Sequence, residues 1–241
     1  MRWLLVLLGL GVPQLAGAAP CRELVFEDVP MTVCTVDLGA DLRLFLKGPA
    51  GNLGSFNAVN DRLADEGKTL GFAMNAGMYH SDRAPVGLYI EGGREGAPIV
   101  TTEGPGNFGM LPNGVFCIGA RFFVLESRVF AEKPPLCRYA SQSGPMLVIG
   151  GELHPRLIPE SDSIFIRNGV GVSADGTRAV FVISNAPVNF HRFARFFRDG
   201  LGLPDALYLD GKISRLYAPG LGRNDIGFAM GPIVGLVVPK G

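Results

Sequence analysis

"AVFVISNAPVNFHRFARFFRDGLGLPDALYLDG", residues 179–211, decides how this chain is read. An apolar run, Ala179–Ser184, leads to Asn189, whose short amide side chain suits a helix N-cap. The following "NFHRFARFFRDG" places Phe190, Phe193, Phe196 and Phe197 on one helical face. A second apolar run, Ala206–Asp210, completes a strand-helix-strand unit. A right-handed crossover takes the carboxyl ends of both strands to one sheet edge, which predicts that Asn185 and Asp210 are neighbours there. His191, Arg192, Arg195 and Arg198 lie opposite the Phe stripe and read as a solvated helix face, not as a nucleic-acid patch.

Outward from this unit, the pattern is one of short strands and tight turns. "ELVFEDVPMTVCTVDLGADLRLFLK", from Glu23 to Lys47, predicts a three-strand meander with turns at Val29-Pro30 and Gly39-Ala40. "SFNAVNDRLADEG" opens on a Ser55 cap and aligns Phe56, Val59 and Leu63 as the buried face of a helix. Further strands are expected at Thr69–Met74, Val86–Glu91, Gly114–Ile118, Arg121–Leu125, Pro145–Ile149, Ile164–Arg167 and Val170–Ser173. There is no internal repeat, no low-complexity tract and no linker. The expectation is therefore one α+β domain, residues 19–241, of mixed or mostly antiparallel sheets with two or more helices.

Composition agrees with a packed core. Hydrophobic residues make up 47% of the 241 and charged ones 18%, while 34 Gly and 18 Pro occur without a period. That excludes disorder and collagen. The 22 basic and 22 acidic residues cancel, so no bulk charge draws the chain to nucleic acid or anionic lipid.

The opening "MRWLLVLLGLGVPQLAGAAP" has one Arg, an apolar run from Trp3 to Val12 and small residues ending at Ala18. This is the three-part pattern of a secretory signal peptide over residues 1–18, too short to span a bilayer, and it implies export with no membrane anchor after cleavage. Export makes disulfides of Cys21, Cys34, Cys117 and Cys137. Three pairings are possible. The local one, Cys21–Cys34 with Cys117–Cys137, closes two short loops, each worth about 3 kcal/mol. His80, His154 and His191 are too scattered for a zinc site.

Familiar nucleophile patterns are absent: there is no G-x-S-x-G, H-E-x-x-H or C-x-x-C. "GPGNFG", residues 104–109, matches G-x-G-x-x-G in form only. Pro105 sits inside it and no helix start follows, so it reads as a glycine-rich loop.

Polar strand ends are the more informative feature. Asn75 ends an apolar strand and offers donor and acceptor to a sugar hydroxyl or phosphate oxygen, or else caps its own turn. Arg167 follows the alternating Ile164 and Ile166, and on a core-facing strand it needs an anionic ligand or an ion pair with Asp162 or Asp175. Asp210 ends its strand beside Gly211, which permits close approach of a ligand, and Ser214 lies four residues on. Alone, Asp-Gly reads as a turn; the combination is what points to chemistry.

Taken together, "NAGMY", "PVGLYIEGG", "GNFGMLPNGVF", "SGPMLVIGGELHP", "IRNGVGVSADG", "VNFHRFARFFRDGLGLPDALYLDGKIS" and "GPIVGLV" resemble the phosphodiester glycosidase family, in its small exported bacterial form. The likeness runs from about Leu70 to Val238, in order and with matching spacings. It implies hydrolysis of a sugar-1-phosphodiester at the glycosidic carbon, releasing free sugar and a phosphomonoester. The family segments fall on Asn75 to Gly77, Arg167 to Gly171 and Asp210 to Ser214. In the last of these Lys212 replaces a second glycine, either meeting the substrate's charge or narrowing the pocket.

The resemblance thus implies a catalytic Asp210 and substrate contacts from Asn75, Gly77, Arg167, Asn168, Gly211 and Ser214; the residues themselves offer Glu91 as a second carboxylate to complete a pair, and Asn185, at the shared strand edge, as a further substrate contact. A phosphate leaving group is a weak base, so anion binding matters more than a strong general acid. No cofactor is implied. A divalent cation stays open, since Asp82, Asp162 and Asp225 are available, although none lies in a recognisable calcium loop. The rival reading is a non-catalytic exported module that binds glycans or phosphoglycans without turnover.

Overall fold

The computed structural model describes residues 20–210 and 213–241. The expected leader over residues 1–18, together with Gly211 and Lys212, lies outside the described residues. The chain forms three main sheets with helices packed on their outer faces, an α+β domain as the sequence predicts.

The largest sheet has seven strands in the order β1 (Cys21–Phe26), β2 (Val29–Asp37), β15 (Arg178–Ser184), β14 (Asn168–Val172), β16 (Asp205–Tyr208), β12 (Met146–Ile149) and β13 (Glu152–Leu153). A five-stranded sheet runs β10 (Phe122–Glu126), β9 (Gly114–Gly119), β11 (Cys137–Ser143), β7 (Tyr89–Glu91), β8 (Arg94–Ala97). A second runs β18 (Arg223–Asn224), β17 (Leu216–Ala218), β6 (Lys68–Asn75), β19 (Ile233–Pro239), β3 (Leu42–Phe45). A small hairpin, β4 (Lys47–Gly48) with β5 (Gly51–Asn52), stands apart. Neighbouring strands in all of these sheets are antiparallel.

The sheets face each other across a core in which Phe72 of β6, Phe116 of β9 and Phe181 of β15 meet ring to ring, at centroid distances of 5.4 and 5.6 Å. Helix α1 (Phe56–Ala64) starts at Ser55, whose side chain accepts from the Ala58 amide, and buries Phe56, Val59 and Leu63 as its spacing dictates. Helix α3 (Phe190–Arg195), continued by a wider turn over Phe196–Gly200, packs on the outer face of the seven-stranded sheet. Asn189 caps it by accepting from the Arg192 amide. The close fit requires Gly171 in β14, where a Cβ would lie 2.7 Å from Leu203 and 2.8 Å from Phe197. A short α2 (Ser127–Glu132), which the sequence reading did not foresee, follows β10.

The strand-helix-strand unit is present, with one correction. Strands β15 and β16 are parallel, each antiparallel to β14, which lies between them. Asn185 and Asp210 therefore emerge at the same sheet edge but are not neighbours: Asn168, the first residue of β14, stands between them.

Three other expectations change. The meander is a hairpin turning at Glu27 and Asp28, both at positive φ, instead of at Val29-Pro30. Its third strand, β3, leaves for the sheet of β6 and β19. Ile164–Arg167 is not a strand; it makes one bridge, Phe165 to Val188, because Ile164 and Phe165 face outward and have no sheet to join. The expected strand over Val86–Glu91 is confined to β7.

Both disulfides take the local pairing. Cys21–Cys34 ties β1 to β2, and Cys117–Cys137 ties β9 to β11.

Candidate functional site

The end of β6, in one sheet, converges with the start of β14 and the end of β16, in another, where side chains bond across the two sheets. Asn75 ends β6 and Asn168 begins β14; both are fully buried. The Asn168 Nδ2–H donates to the Asn75 carbonyl at 2.9 Å, and the Asn75 Nδ2–H donates to Asn168 Oδ1 at 3.3 Å. Each amide also holds the segment after β16. Asn168 Oδ1 accepts from the Asp210 amide at 3.1 Å, and Asn75 Oδ1 accepts from the Arg215 amide at 2.9 Å.

Ser214 completes this clasp. Its Oγ lies 2.8 Å from the Asp210 carbonyl, 3.0 Å from the Ile166 carbonyl and 3.3 Å from Asn168 Oδ1. Ser143 adds a donor to the Leu209 carbonyl at 2.5 Å. The Leu209 carbonyl, the Asp210 amide and the Arg215 amide are thereby bonded by side chains from distant segments.

Asp210 opens on a cavity of about 660 Å³ whose walls include Met78, Tyr79, Arg83, Phe108, Phe165 and Ile213. Asp210 is the one carboxylate among the described residues lining it. Burial raises the pKa of the Tyr79 phenol, and the Asp210 charge raises it further, while Arg83 and Arg215 pull it down. Tyr79, Arg83 and Asp210 all line the cavity, and Arg215 follows Ser214 with its guanidinium on the Phe228 carbonyl. Arg83 stacks over the Tyr79 ring with its Cζ 5.4 Å from the centroid, and it adopts a left-handed φ of 73°. Non-glycine residues in that region are often part of functional loops.

Behind the cavity, Arg167 is almost wholly buried. The expected ion pair with Asp162 or Asp175 does not form. Instead Arg167 Nε donates to the Val188 carbonyl at 2.8 Å and Nη2 to the Ser163 carbonyl at 2.7 Å. Its Cζ sits 3.6 Å above the Phe190 ring, and Nη1 reaches the Tyr208 hydroxyl at 3.4 Å. Burial lowers the guanidinium pKa, with partial compensation from Tyr208. Burial is also the main cause raising the Tyr208 phenol; Asp210 raises it further and Arg167 opposes both. Tyr208 thus links Arg167 electrostatically to Asp210.

The other sequence-derived residues fall in different places. Gly77 packs against β11: its amide donates to Ser141 Oγ at 3.1 Å, and a Cβ there would collide with Ser141 and the Gln142 carbonyl. Asn185 accepts from Arg223 Nη1 at 2.7 Å, and its Nδ2 donates to Thr32 at 3.0 Å, in a cluster at the same sheet edge. The structure does not bring Glu91 to the cavity; it accepts from the Tyr89 hydroxyl at 2.7 Å and pairs with Arg62 at 3.4 Å. Gly211 lies outside the described residues.

Asp82 accepts from the Ala84 amide, and Asp225 is engaged by Arg223 and the Leu216 amide. Among the described residues, no group of three or more His, Cys, Asp or Glu side chains comes together as a metal site. No helix among them is long and apolar enough to cross a membrane.

Sequence reasoning passed over Tyr79, Arg215 and Phe165 as site residues. Tyr79 stood inside the quoted "NAGMY" and Arg215 directly after Ser214, so proximity to a strand end was the available signal. Phe165 falls within the expected strand Ile164–Arg167, whose alternating Ile164 and Ile166 give no signal for a cavity.

Residues 68–227 match the family described as NAGPA, phosphodiester glycosidase. The protein described as uncharacterized protein YigE of Escherichia coli strain K12 is 40% identical over 149 residues, which span 61% of this chain and 58% of that protein. In three dimensions the chain resembles the catalytic domain of zebrafish N-acetylglucosamine-1-phosphodiester alpha-N-acetylglucosaminidase, auto-inhibited by its pro-peptide. The TM-score is 0.61 at 14% identity, over 90% of this chain and 81% of that one. A hypothetical protein from Synechocystis gives 0.60 at 15% identity, over 90% of this chain and 61% of that one. At these identities the structural likeness is one of fold. The match over residues 68–227 covers most of the length, and the chain belongs to the phosphodiester glycosidase family.

Proposed function

We propose that this protein is an exported hydrolase that cleaves the glycosidic bond of a sugar-1-phosphodiester, releasing free sugar and a phosphomonoester. The observation that carries the reading is the placement of Asp210. It is held by Asn168 at the mouth of a cavity, with the positive charges of Arg83 and Arg215 close by. A cavity with one carboxylate and nearby cations suits a substrate whose leaving group is already anionic and weakly basic.

In this mechanism water attacks the anomeric carbon as its bond to the phosphate oxygen breaks. The Asp210 carboxylate takes the proton from water and faces the positive charge that develops on the sugar ring. The departing phosphomonoester keeps the bonding electrons, and Arg83 and Arg215 stabilise its charge. Asn75, Asn168 and Ser214 act as positioning residues, since their polar atoms fix the backbone around Asp210. Arg167 acts through Tyr208 on the electrostatics of the cavity. Export is supported by the signal-peptide pattern and by the two disulfides, which persist in oxidising compartments.

The test is release of free sugar from UDP-N-acetylglucosamine or another sugar-1-phosphodiester by the mature protein and by Asp210→Asn. The expected result is turnover in the wild type and a loss of at least about a hundredfold in the variant, with binding retained. Equal turnover in the two proteins would remove Asp210 from the mechanism. Substrate binding without turnover in the wild type would favour a glycan-binding module.

A further inference from the structure

Among the large apolar side chains left in solvent, two pairs belong to segments beside the Asp210 cavity. On one side, Ile164 is 54% exposed and Phe165, which lines the cavity, is 52% exposed. On the other, Ile226 and Phe228 are 87% and 81% exposed. The second pair is tied to the segment that follows Ile213: Arg215 Nη1 donates to the Phe228 carbonyl at 2.6 Å, and the Asp225 amide donates to the Leu216 carbonyl at 3.0 Å. The 225–228 segment therefore runs beside 213–216, whose Ile213 lines the cavity. A Cβ on Gly227 would meet the Arg215 guanidinium, which places this loop against Arg215.

Exposed apolar side chains gathered at the rim of a cavity mark a surface that a ligand or partner covers. Here the rim continues into apolar inner walls, Met78, Val86 and Phe108, with positive charge beside Tyr79. An anionic head with a hydrocarbon tail matches both features, whereas a nucleotide or second sugar would set polar groups against the rim.

We infer that the alcohol esterified to the far side of the substrate phosphate is a long-chain apolar one, so that the substrate is a sugar 1-phosphodiester of a lipid alcohol. This rests on the glycosidase reading for the reaction itself, but the apolar subsite can be measured without turnover. The phosphate lies near Arg83 and Arg215, and the chain leaves along Ile213 toward Phe165 and Phe228.

The experiment has two arms. Calorimetry compares n-decyl phosphate, below its critical micelle concentration, with methyl phosphate, on the wild type and on a variant carrying Ile226→Ser and Phe228→Ser. Both positions are exposed, so the variant retains its fold. The expected result is at least about tenfold tighter binding of decyl phosphate to the wild type, with that ratio reduced at least about fivefold in the variant. Equal affinities, or a ratio unchanged in the variant, would overturn the inference.

The second arm compares kcat/KM for N-acetylglucosamine 1-(decyl phosphate) and 1-(methyl phosphate). Hydrolysis of both at the same rate would leave the glycosidase reading standing and sink the lipid one. Tight decyl phosphate binding without hydrolysis of either diester would do the reverse, retaining the apolar subsite and removing the reaction.

Discussion

Asn75 and Asn168 exchange hydrogen bonds across the junction of two sheets, the Asn168 Nδ2–H to the Asn75 carbonyl and the Asn75 Nδ2–H back to Asn168 Oδ1. They lie 93 positions apart in the chain, and no sheet ladder joins their strands. The pair closes the gap between sheets with polar atoms where a methyl contact would leave backbone groups unmet. The same two amides bind the Asp210 and Arg215 backbone, so the junction and the site share one set of bonds.

Asn168→Ala should therefore act on stability and site together. It leaves the buried Asn75 carbonyl and the Asp210 amide without their partners, at about 2–5 kcal/mol in total. Urea unfolding followed by circular dichroism measures the first effect. Loss of turnover at denaturant concentrations where the variant is still folded measures the second. A variant with wild-type stability would show that solvent replaces both bonds.

Gly77→Ala tests the approach of the loop after β6 to β11. A methyl group there would press on Ser141 and on the Gln142 carbonyl, and both residues are buried. Moving either disturbs Gln142, whose side chain accepts from the Leu88 and Val100 amides and donates to Ser127. Overpacking of this kind costs about 1–3 kcal/mol. Because residues 78–83 follow directly, substrate affinity should fall with stability; a stable variant with unchanged affinity would show that the loop shifts freely.

How far the sequence reveals this structure depends on how local the decisive contacts are. Helix α1 is legible from Ser55 and the Phe56, Val59, Leu63 spacing, since cap and stripe are local. The hairpin turn is not legible in the same way: Pro30 looks like a breaker, yet it sits within β2 opposite Val25, while Glu27 and Asp28 adopt positive φ without glycine. Strand β11, "CRYASQS", is nearly all buried but reads as polar, because Ser141, Gln142 and Ser143 find their partners far away in sequence. In the site, the polar strand ends Asn75, Asn168 and Asp210 stand out in the sequence and do meet. Glu91 offered the same kind of signal, but its strand belongs to a different sheet and takes it to Arg62.

The disulfides predict a measurable asymmetry. Cys21 and Cys34 are 13 positions apart and Cys117 and Cys137 are 20 apart, so both loops are short and each bridge contributes about 3 kcal/mol through the unfolded chain. Cys117 and Cys137 also lie within a buried cluster with Leu88, Val115 and Phe130, in the sheet that carries Gln142. Replacing both by Ala should lower stability by at least that amount and loosen β11. Hydrogen exchange at Ala140–Ser143, compared with the Cys21→Ala/Cys34→Ala protein, should rise only in the former. Equal exchange in the two would show that β11 is held by its ladder alone.

His154 gives the stability a pH dependence whose sign can be stated in advance. It is almost fully buried, and its Nδ1 accepts from the Arg156 amide at 3.1 Å, so the neutral ring carries its proton on Nε2. Burial is the largest influence and pushes its pKa below the ordinary histidine value of about 6.5; the Leu111 and Pro112 carbonyls oppose it weakly. A depressed folded pKa means that below about 6.5 the unfolded chain binds a proton the folded protein resists. The contribution is complete above that pH and is lost as pH falls toward the folded value, at up to about 1.4 kcal/mol per pH unit. Unfolding free energies of wild type and His154→Gln across this window should differ in slope, with the variant flatter. Parallel slopes would assign the acid sensitivity to another group.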